Sequence, residues 1–368
     1  MISIKEKQID RQLRNNNSHR NIGLDFFRLF CMFLITSIHL GYTNISLIST
    51  SNIHNIGSLY FLQTFQAVGI NGFMLISAYF LSAKSFSIKR IISFWMQLLF
   101  CSVLIFVLIT IVTRSFSIKN CVKSFLPVLT QHYWYPVVYI IILFAAPFMN
   151  RLIDVLSKKQ LLLFLGFLFC TQILLLSTDF FYDSHVYLGH PSHSILGFVF
   201  LYFIAAYIRK YGINRRILFG PILLICIFIV SFGIRVLMNY LPIHIPNRLQ
   251  IFEENGLFAL LLSVSSFVTF SMVNIKNTIV TRIISFCSPS LFFVYLIQEH
   301  NSFRELFWSW FVCIENYINN PILLTIIAFS LFLVMAIILF QFYKLMKRIC
   351  LSKVETMVCS KLNFVEKQ

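Results

Sequence analysis

The chain has 368 residues, of which 58% are hydrophobic and only 12% are charged, and its formal net charge is +17. A soluble domain is about 45–50% apolar and about 25% charged, so this composition excludes an ordinary soluble protein and indicates a polytopic membrane protein. In that class an excess of Lys and Arg is typical of cytoplasmic loops, so the charge does not indicate a nucleic-acid partner.

Apolar segments of about 20 residues, the length that crosses a bilayer as a helix, recur along the whole chain. The sequence therefore predicts an all-α, polytopic membrane helix bundle of about ten transmembrane helices. A basic segment over residues 1–20 precedes the transmembrane domain over 21–345, and a tail over 346–368 follows it. The ten candidate segments are roughly 24–41, 60–82, 88–113, 133–150, 160–178, 192–208, 217–238, 256–274, 283–300 and 322–343.

The distribution of basic residues predicts the orientation of these helices. With the N-terminus in the cytoplasm, 23 of the 30 Lys and Arg fall in cytoplasmic loops and termini, and five fall outside. This asymmetry is the positive-inside pattern, which sets the topology of membrane proteins. We therefore expect both termini in the cytoplasm. As a separate expectation, the protein is a multi-pass protein of a bacterial-type inner cell membrane.

The first helix carries three ionisable groups, in the stretch "LDFFRLFCMFLITSIHLG" over 24–41. Arg28 and His39 are separated by 11 residues, which places them on one helix face about 16 Å apart. Asp25 lies three residues before Arg28, so an ion pair is within reach. Alone, Asp25 and Arg28 could be interfacial anchors and His39 a packing residue. Together on one face they indicate an interior site opening to a shared polar crevice.

This stretch resembles the opening of the acyltransferase 3 family of integral-membrane O-acyltransferases, which has Asp, then Arg three residues later, and an Arg-x10-His spacing. Four further stretches are similar to family segments in the same order: "VGINGFMLISAYFLS", "QHYWYPVVYIIILFAAPFMNRLI", "FLYFIAAYIRKY" and "SLFFVYLIQEH". Two positions depart from the family pattern. Ala78 replaces a usual Gly, and Gln298 stands where a His is frequent, with His300 two residues on.

The resemblance implies transfer of an acyl group, with acetyl-CoA as the expected donor, to a hydroxyl of a cell-surface polysaccharide or its lipid-linked sugar precursor. A sugar hydroxyl needs a base, and His39 is the candidate, either as general base or as a carrier of the acyl group. Arg28 is the candidate for gripping the anionic CoA, because its planar donor fork suits phosphate. Asp25 completes the predicted catalytic set.

Three more residues are candidates for acceptor binding. Trp134 and Tyr135 open a helix at the predicted outer face, where they could stack on a sugar or belong to the interfacial aromatic belt. Ser77 could contact substrate or pack between helices. No metal site is expected, because the nine cysteines include no C-x-x-C pair and only His190 and His193 are closely spaced histidines.

Two other classes of membrane protein have similar helix numbers. A flippase for lipid-linked sugars would be expected to have more intramembrane charges and paired broken helices. A polymerase of the O-antigen type would be expected to carry a large outer loop rich in Arg. The sequence has neither feature, which favours the acyltransferase.

Overall fold

The computed structural model describes residues 20–42, 53–130, 132–182, 195–212, 220–240, 252, 256–315, 318 and 320–366. Residues 1–19 of the predicted basic segment lie outside these ranges. Within them, every regular element is a helix. In chain order the helices are α1 (Ile22–Tyr42), α2 (Ile53–Leu81), α3 (Ile88–Thr113), α4 (Ile118–Phe125), α5 (Trp134–Val155), α6 (Lys158–Tyr182), α7 (Ile195–Tyr211), α8 (Gly220–Tyr240), α9 (Leu257–Met272), α10 (Thr278–Cys287), α11 (Leu291–Glu299), α12 (Asn301–Glu315), α13 (Pro321–Met346) and α14 (Ser352–Glu366).

The predicted all-α membrane bundle is confirmed. Each of the ten predicted segments overlaps a helix in its described part, and over the described residues seven helical stretches are long and apolar enough to cross a membrane. Helix α9 has only 16 residues, which is short for a full crossing. The count of ten spans and the side on which each terminus lies therefore stay predictions.

The segment predicted as one helix over 283–300 is interrupted. Helix α10 is followed by a single 3-10 turn, Ser288–Ser290, and α11 then continues in the same direction. Pro289 lies in this turn, where its missing N–H and ring disfavour a continuous α-helix. The Ser288 hydroxyl donates to Asp25 Oδ1 over 3.0 Å, so the interruption brings a polar group against α1.

Helix α1 lies at the centre of the described bundle and packs against α2, α9, α10, α11 and α13. Its contact with α2 depends on two glycines. A Cβ at Gly72 would lie 2.4 Å from the Cys31 sulfur, and one at Gly69 would lie 2.8 Å from the Cys31 carbonyl oxygen. Small residues at such positions let membrane helices approach closely, and here they fix α1 against α2.

Substituting Gly72 with Leu should separate α1 from α2, because the new side chain has no space beside Cys31 and Phe27. Overpacking of a filled core costs about 1–3 kcal/mol. We expect a clearly lower midpoint of thermal unfolding in detergent. Gly233→Leu is the control, since nothing lies within 4 Å of its Cβ position. Equal midpoints for the two variants would contradict the close contact.

Candidate active site

A cavity of about 290 Å³ opens beside the second half of α1. Helices α1, α2, α5 and α11 form most of its wall, and α12 contributes Arg304. Most of the lining is apolar, with a few polar groups at one end, which is typical of small-ligand sites. The lining residues are Met32, Ile35, Ile38, His39, Ile70, Phe73, Trp134, Tyr135, Phe292, Tyr295, Glu299 and Arg304.

His39 is held at this polar end by two neighbours on α11. Its Nδ1 lies 2.8 Å from Oε1 of Gln298, and its Nε2 lies 3.0 Å from Oε1 of Glu299. The Gln298 amide nitrogen donates to the Thr36 hydroxyl over 2.7 Å, and that hydroxyl donates to the Met32 carbonyl. Because the amide nitrogen is used by Thr36, the Gln298 oxygen accepts from His39, and Nδ1 carries a proton.

A second proton lies between His39 Nε2 and the Glu299 carboxyl group. With Nδ1 protonated, a neutral imidazole offers only a lone pair at Nε2, and a carboxylate is likewise an acceptor. At 3.0 Å the two atoms must have one proton between them, held on Nε2 or on the carboxyl group. The two side chains therefore share a proton at the wall of the cavity.

Arg304, near the beginning of α12, contacts Glu299 as well. Its guanidinium lies 3.6 Å from the same Glu299 oxygen, and the Glu299 side chain is 14% exposed. Glu299 and Arg304 were not predicted from the sequence as site residues. The only signal in the sequence was position, since Glu299 lies within the late "YLIQEH" segment and Arg304 follows it by four residues.

Asp25 and Arg28 lie at the opposite end of α1. The ion pair expected from their spacing is present, with 2.8 Å between Arg28 Nη1 and Asp25 Oδ1. Asp25 also pairs with Arg20 and accepts from Ser288, so this buried carboxylate has three partners. Arg28 does not line the cavity around His39, which begins one turn further along α1 at Met32. The expected shared crevice is thus lined by His39 but not by Arg28.

Further cations converge around Arg28. The Arg28 guanidinium lies 5.5 Å from the centre of the Phe80 ring, and the Arg209 guanidinium lies 6.0 Å from the same ring. Partial burial, together with Arg90, Arg209 and Arg28, lowers the pKa of Lys84. These four cations form what we call the basic cluster. Mutual repulsion among them favours the binding of an anion there.

Asn150 holds the loop that carries Lys84. Its side-chain amide donates to the carbonyl groups of Leu81 and Lys84, each over 3.3 Å. Its oxygen accepts from the Tyr202 hydroxyl at 2.7 Å. The end of α2 is therefore tied to α5 and α7, which fixes the backbone next to the basic cluster.

The predicted acceptor-binding residues are only partly brought together. Trp134 and Tyr135 line the cavity, with their ring centres 5.8 Å apart and their planes perpendicular. Ser77 does not line the cavity, and its hydroxyl contacts the phenol groups of Tyr135 and Tyr139 instead. Two of the three residues therefore line the cavity and the third lies behind one of them, while acceptor binding stays a prediction.

Two other histidines form a separate buried pair behind the cavity. The rings of His132 and His300 are 4.8 Å apart, and His300 Nε2 donates to the Ser102 carbonyl over 3.0 Å. Burial lowers the pKa of His132 to about 3, with His300 and Lys123 adding to the effect, and burial lowers that of His300 to about 4. Both rings are therefore neutral in the folded protein at pH 7.

No three His, Cys, Asp or Glu side chains converge into a metal-binding group among the residues that the structure describes. The closely spaced His190 and His193 lie outside those residues.

The fold and the cavity define a multi-pass helical membrane protein with a histidine–carboxylate pair in a largely apolar pocket. The family model described as an acyltransferase domain matches residues 21–341, which is most of the chain. The protein therefore belongs to the acyltransferase 3 family and is a membrane acyltransferase that transfers groups other than aminoacyl groups. No curated protein and no solved structure matches the chain.

The neutral histidine pair makes the stability of the fold sensitive to acid. The folded pKa values of about 3 and about 4 lie below the ordinary value of 6.5, so the unfolded chain binds more protons below pH 6.5. The stabilisation is present above pH 6.5 and declines as the pH falls towards 4. His132→Phe, which keeps a ring against Tyr133, should make this decline shallower. Unfolding midpoints between pH 7.5 and 4.5 measure it, and parallel profiles for both proteins would contradict it.

Proposed function

We propose that this membrane acyltransferase moves an acyl group, acetyl in the first instance, from acyl-CoA to a hydroxyl group. The acceptor is a cell-surface polysaccharide or its lipid-linked sugar precursor. The observation that carries the proposal is the His39 ring, whose Nδ1 is fixed by Gln298 and whose Nε2 meets Glu299 at the cavity wall. Membership of the acyltransferase 3 family supports the reaction class.

His39 acts as the general base in this proposal. The acceptor oxygen attacks the thioester carbonyl carbon, a C–O bond forms, and the hydroxyl proton moves to Nε2. The C–S bond then breaks, and the proton passes to the departing thiolate to give CoA–SH. Base catalysis requires an open lone pair at Nε2, so the acceptor hydroxyl takes the place of Glu299 at that atom. The Glu299 carboxyl group and the Arg304 cation beside it provide the polar surroundings.

The geometry favours the base over the acyl carrier. Nδ1 is occupied by Gln298, so an acyl group would have to be attached at Nε2, where Glu299 lies 3.0 Å away. Both routes displace Glu299 from Nε2, but an acyl carrier would also have to hold a bulky group at that atom. Direct transfer requires only proton movement at the same atom.

The donor binds from the end of the bundle that carries Arg28. The adenosine phosphates of CoA are anionic, and Arg28 lies in the basic cluster with Lys84, Arg90 and Arg209. Arg forms bidentate bonds with phosphate oxygens. From Arg28 the helix rises about 16 Å to His39. The uncharged arm of the donor follows Met32 and Ile35, which line the cavity on the same stripe of α1.

Charge distribution supports a cytoplasmic location for the donor end, as expected of a CoA-dependent enzyme in a bacterial inner membrane. In addition to the basic cluster, the described loops and helix ends on the Arg28 side carry many cations, among them Arg151, Lys158, Lys159 and Lys210. The positive-inside rule places such an end in the cytoplasm. The His39 end then faces the opposite side of the membrane, where Trp134 and Tyr135 form a platform for the sugar.

Replacing His39 with Ala should remove the base and reduce acyl transfer by about 100-fold or more, since general base catalysis contributes about 10²–10⁴. The measurement is the acyl content of cell-surface glycans by mass spectrometry in cells that make the native protein or the variant. His132→Phe is the matched control, because His132 lies outside the cavity lining. Undiminished acylation with His39→Ala would refute the proposed role.

Arg28→Lys tests the donor site. Lysine keeps the charge opposite Asp25 but lacks the fork that binds phosphate, so the KM for acyl-CoA should rise by about tenfold. The KM for the acceptor should not change. CoA release by purified protein gives both constants. Arg151→Lys, an exposed substitution at the same end of the bundle, should leave both at native values. A native KM for acyl-CoA in Arg28→Lys would exclude the gripping role.

A further inference from the structure

A second, larger cavity adjoins the site at the His39 end of the bundle. It has a volume of about 910 Å³ and lies between the end of α3, the short helix α4 and helix α12. Its wall is rich in hydroxyl and amide side chains, such as Thr110, Ser117, Asn120 and Asn301. We refer to it as the outer groove. Hydroxyl and amide groups of this kind form hydrogen bonds with sugar hydroxyls.

Arg304 connects the outer groove with the cavity that contains His39. The residue lines both spaces, and its guanidinium also contacts Glu299, the partner of His39. A molecule lying in the outer groove would therefore have one end within reach of the histidine–carboxylate pair.

The charges of the outer groove favour an anion. Lys119 and Lys123 line it together with Arg304, which is already paired with Glu299, and with one carboxylate, that of Glu305. Lys119 and Lys123 are one helical turn apart on α4, and neither forms an ion pair within the described part of the chain. The two lysines of α4 thus line the groove without an ion-pair partner among the described residues.

On helix α4 the lysines and the apolar residues lie on different sides. This arrangement distinguishes a site for a soluble ligand from a surface that only contacts lipid. Ile118, Val122 and Phe125 are exposed on the surface, at 74%, 47% and 51%, whereas Lys119 and Lys123 line the groove. The apolar side is suited to the bilayer surface. The lysines therefore face a different partner from the one that the apolar residues contact.

The floor of the outer groove contains an unused hydrogen-bond donor. Trp308 lines the groove and is only 3% exposed, and its indole N–H has no hydrogen-bond partner within the described residues. A buried Trp N–H normally finds an acceptor. An acidic or hydroxyl oxygen of a ligand in the groove would satisfy it.

We propose that the outer groove binds the acceptor, and that the acceptor is an anionic glycan whose carboxylate or phosphate groups contact Lys119 and Lys123. This inference rests on the proposed function, since it places the acceptor hydroxyl at His39. It adds the chemical class of the acceptor. Binding should weaken as ionic strength rises, because the lysines are partly exposed.

The test measures equilibrium binding of defined oligosaccharides to the full-length protein in nanodiscs of zwitterionic lipid. The probes are a hexuronate oligosaccharide, its carboxyl-reduced neutral counterpart, and a neutral oligosaccharide carrying one phosphate. The native protein should bind the carboxylated or the phosphorylated probe at least about tenfold more tightly than the reduced one, and the preferred probe identifies the anion. Lys119→Gln combined with Lys123→Gln should remove this preference. Lys158→Gln combined with Lys159→Gln removes the same charge at the other end of the bundle and should retain it.

Equal binding of charged and neutral probes, or a preference that survives in the Lys119/Lys123 variant, would overturn the inference. So would loss of the preference when anionic lipid is added at constant ionic strength, since the lysines would then be lipid contacts. Acyl-CoA turnover is measured separately on the same preparations. Charge-selective binding without transfer from acyl-CoA to any glycan would support the groove as an anionic-glycan site and refute the acyltransferase reaction proposed above.

Discussion

The hydrogen-bonded series from Thr36 through Gln298 to His39 fixes the relative position of α1 and α11, and the geometry of the candidate site depends on it. Thr36 and Gln298 are fully buried, and a buried polar group without a partner costs about 1–3 kcal/mol. Ser288 and Asp25 make a second polar contact between the same two parts of the chain, nearer the other end of α1. Two polar contacts, one near each end, oppose any sliding of α11 along α1, because a shift would leave several buried groups unpaired at once.

Much of the fold was predictable from hydrophobicity alone, since apolar runs of bilayer length identify membrane helices with little reference to tertiary structure. The Asp25–Arg28 ion pair was also predictable, because it forms within one helix turn. The partners of His39 were not. Gln298 lies 259 residues further along the chain, and only the packing of α11 on α1 brings the two together. The basic cluster was not predictable either, because its members lie on α1, between α2 and α3, on α3 and on α7. Nor was the position of Arg304, which follows the end of α11.

These contacts show what Gln298 does at the position where the family frequently has a His. A histidine at this position could exchange a proton with His39, whereas an amide does not titrate. The Gln298 oxygen instead fixes the tautomer of His39 by accepting from Nδ1, and the Thr36 hydroxyl fixes the amide. Glu299, the next residue, lines the cavity and contacts the other ring nitrogen, Nε2.

The separation of the charged groups along α1 constrains how donor and acceptor can meet. Cations lie at the Arg28 end and around Arg304 at the other end, while Met32 and Ile35 line the stretch between them. Moving a phosphate through an apolar passage is costly, but an uncharged thioester arm carries no such penalty. In the proposed reaction the CoA phosphates therefore stay at the basic cluster while the acyl group reaches His39, and the charges of an anionic acceptor stay in the outer groove. Only the hydroxyl and the acyl carbon enter the apolar centre, so after transfer each product leaves by the side on which its charge already lies.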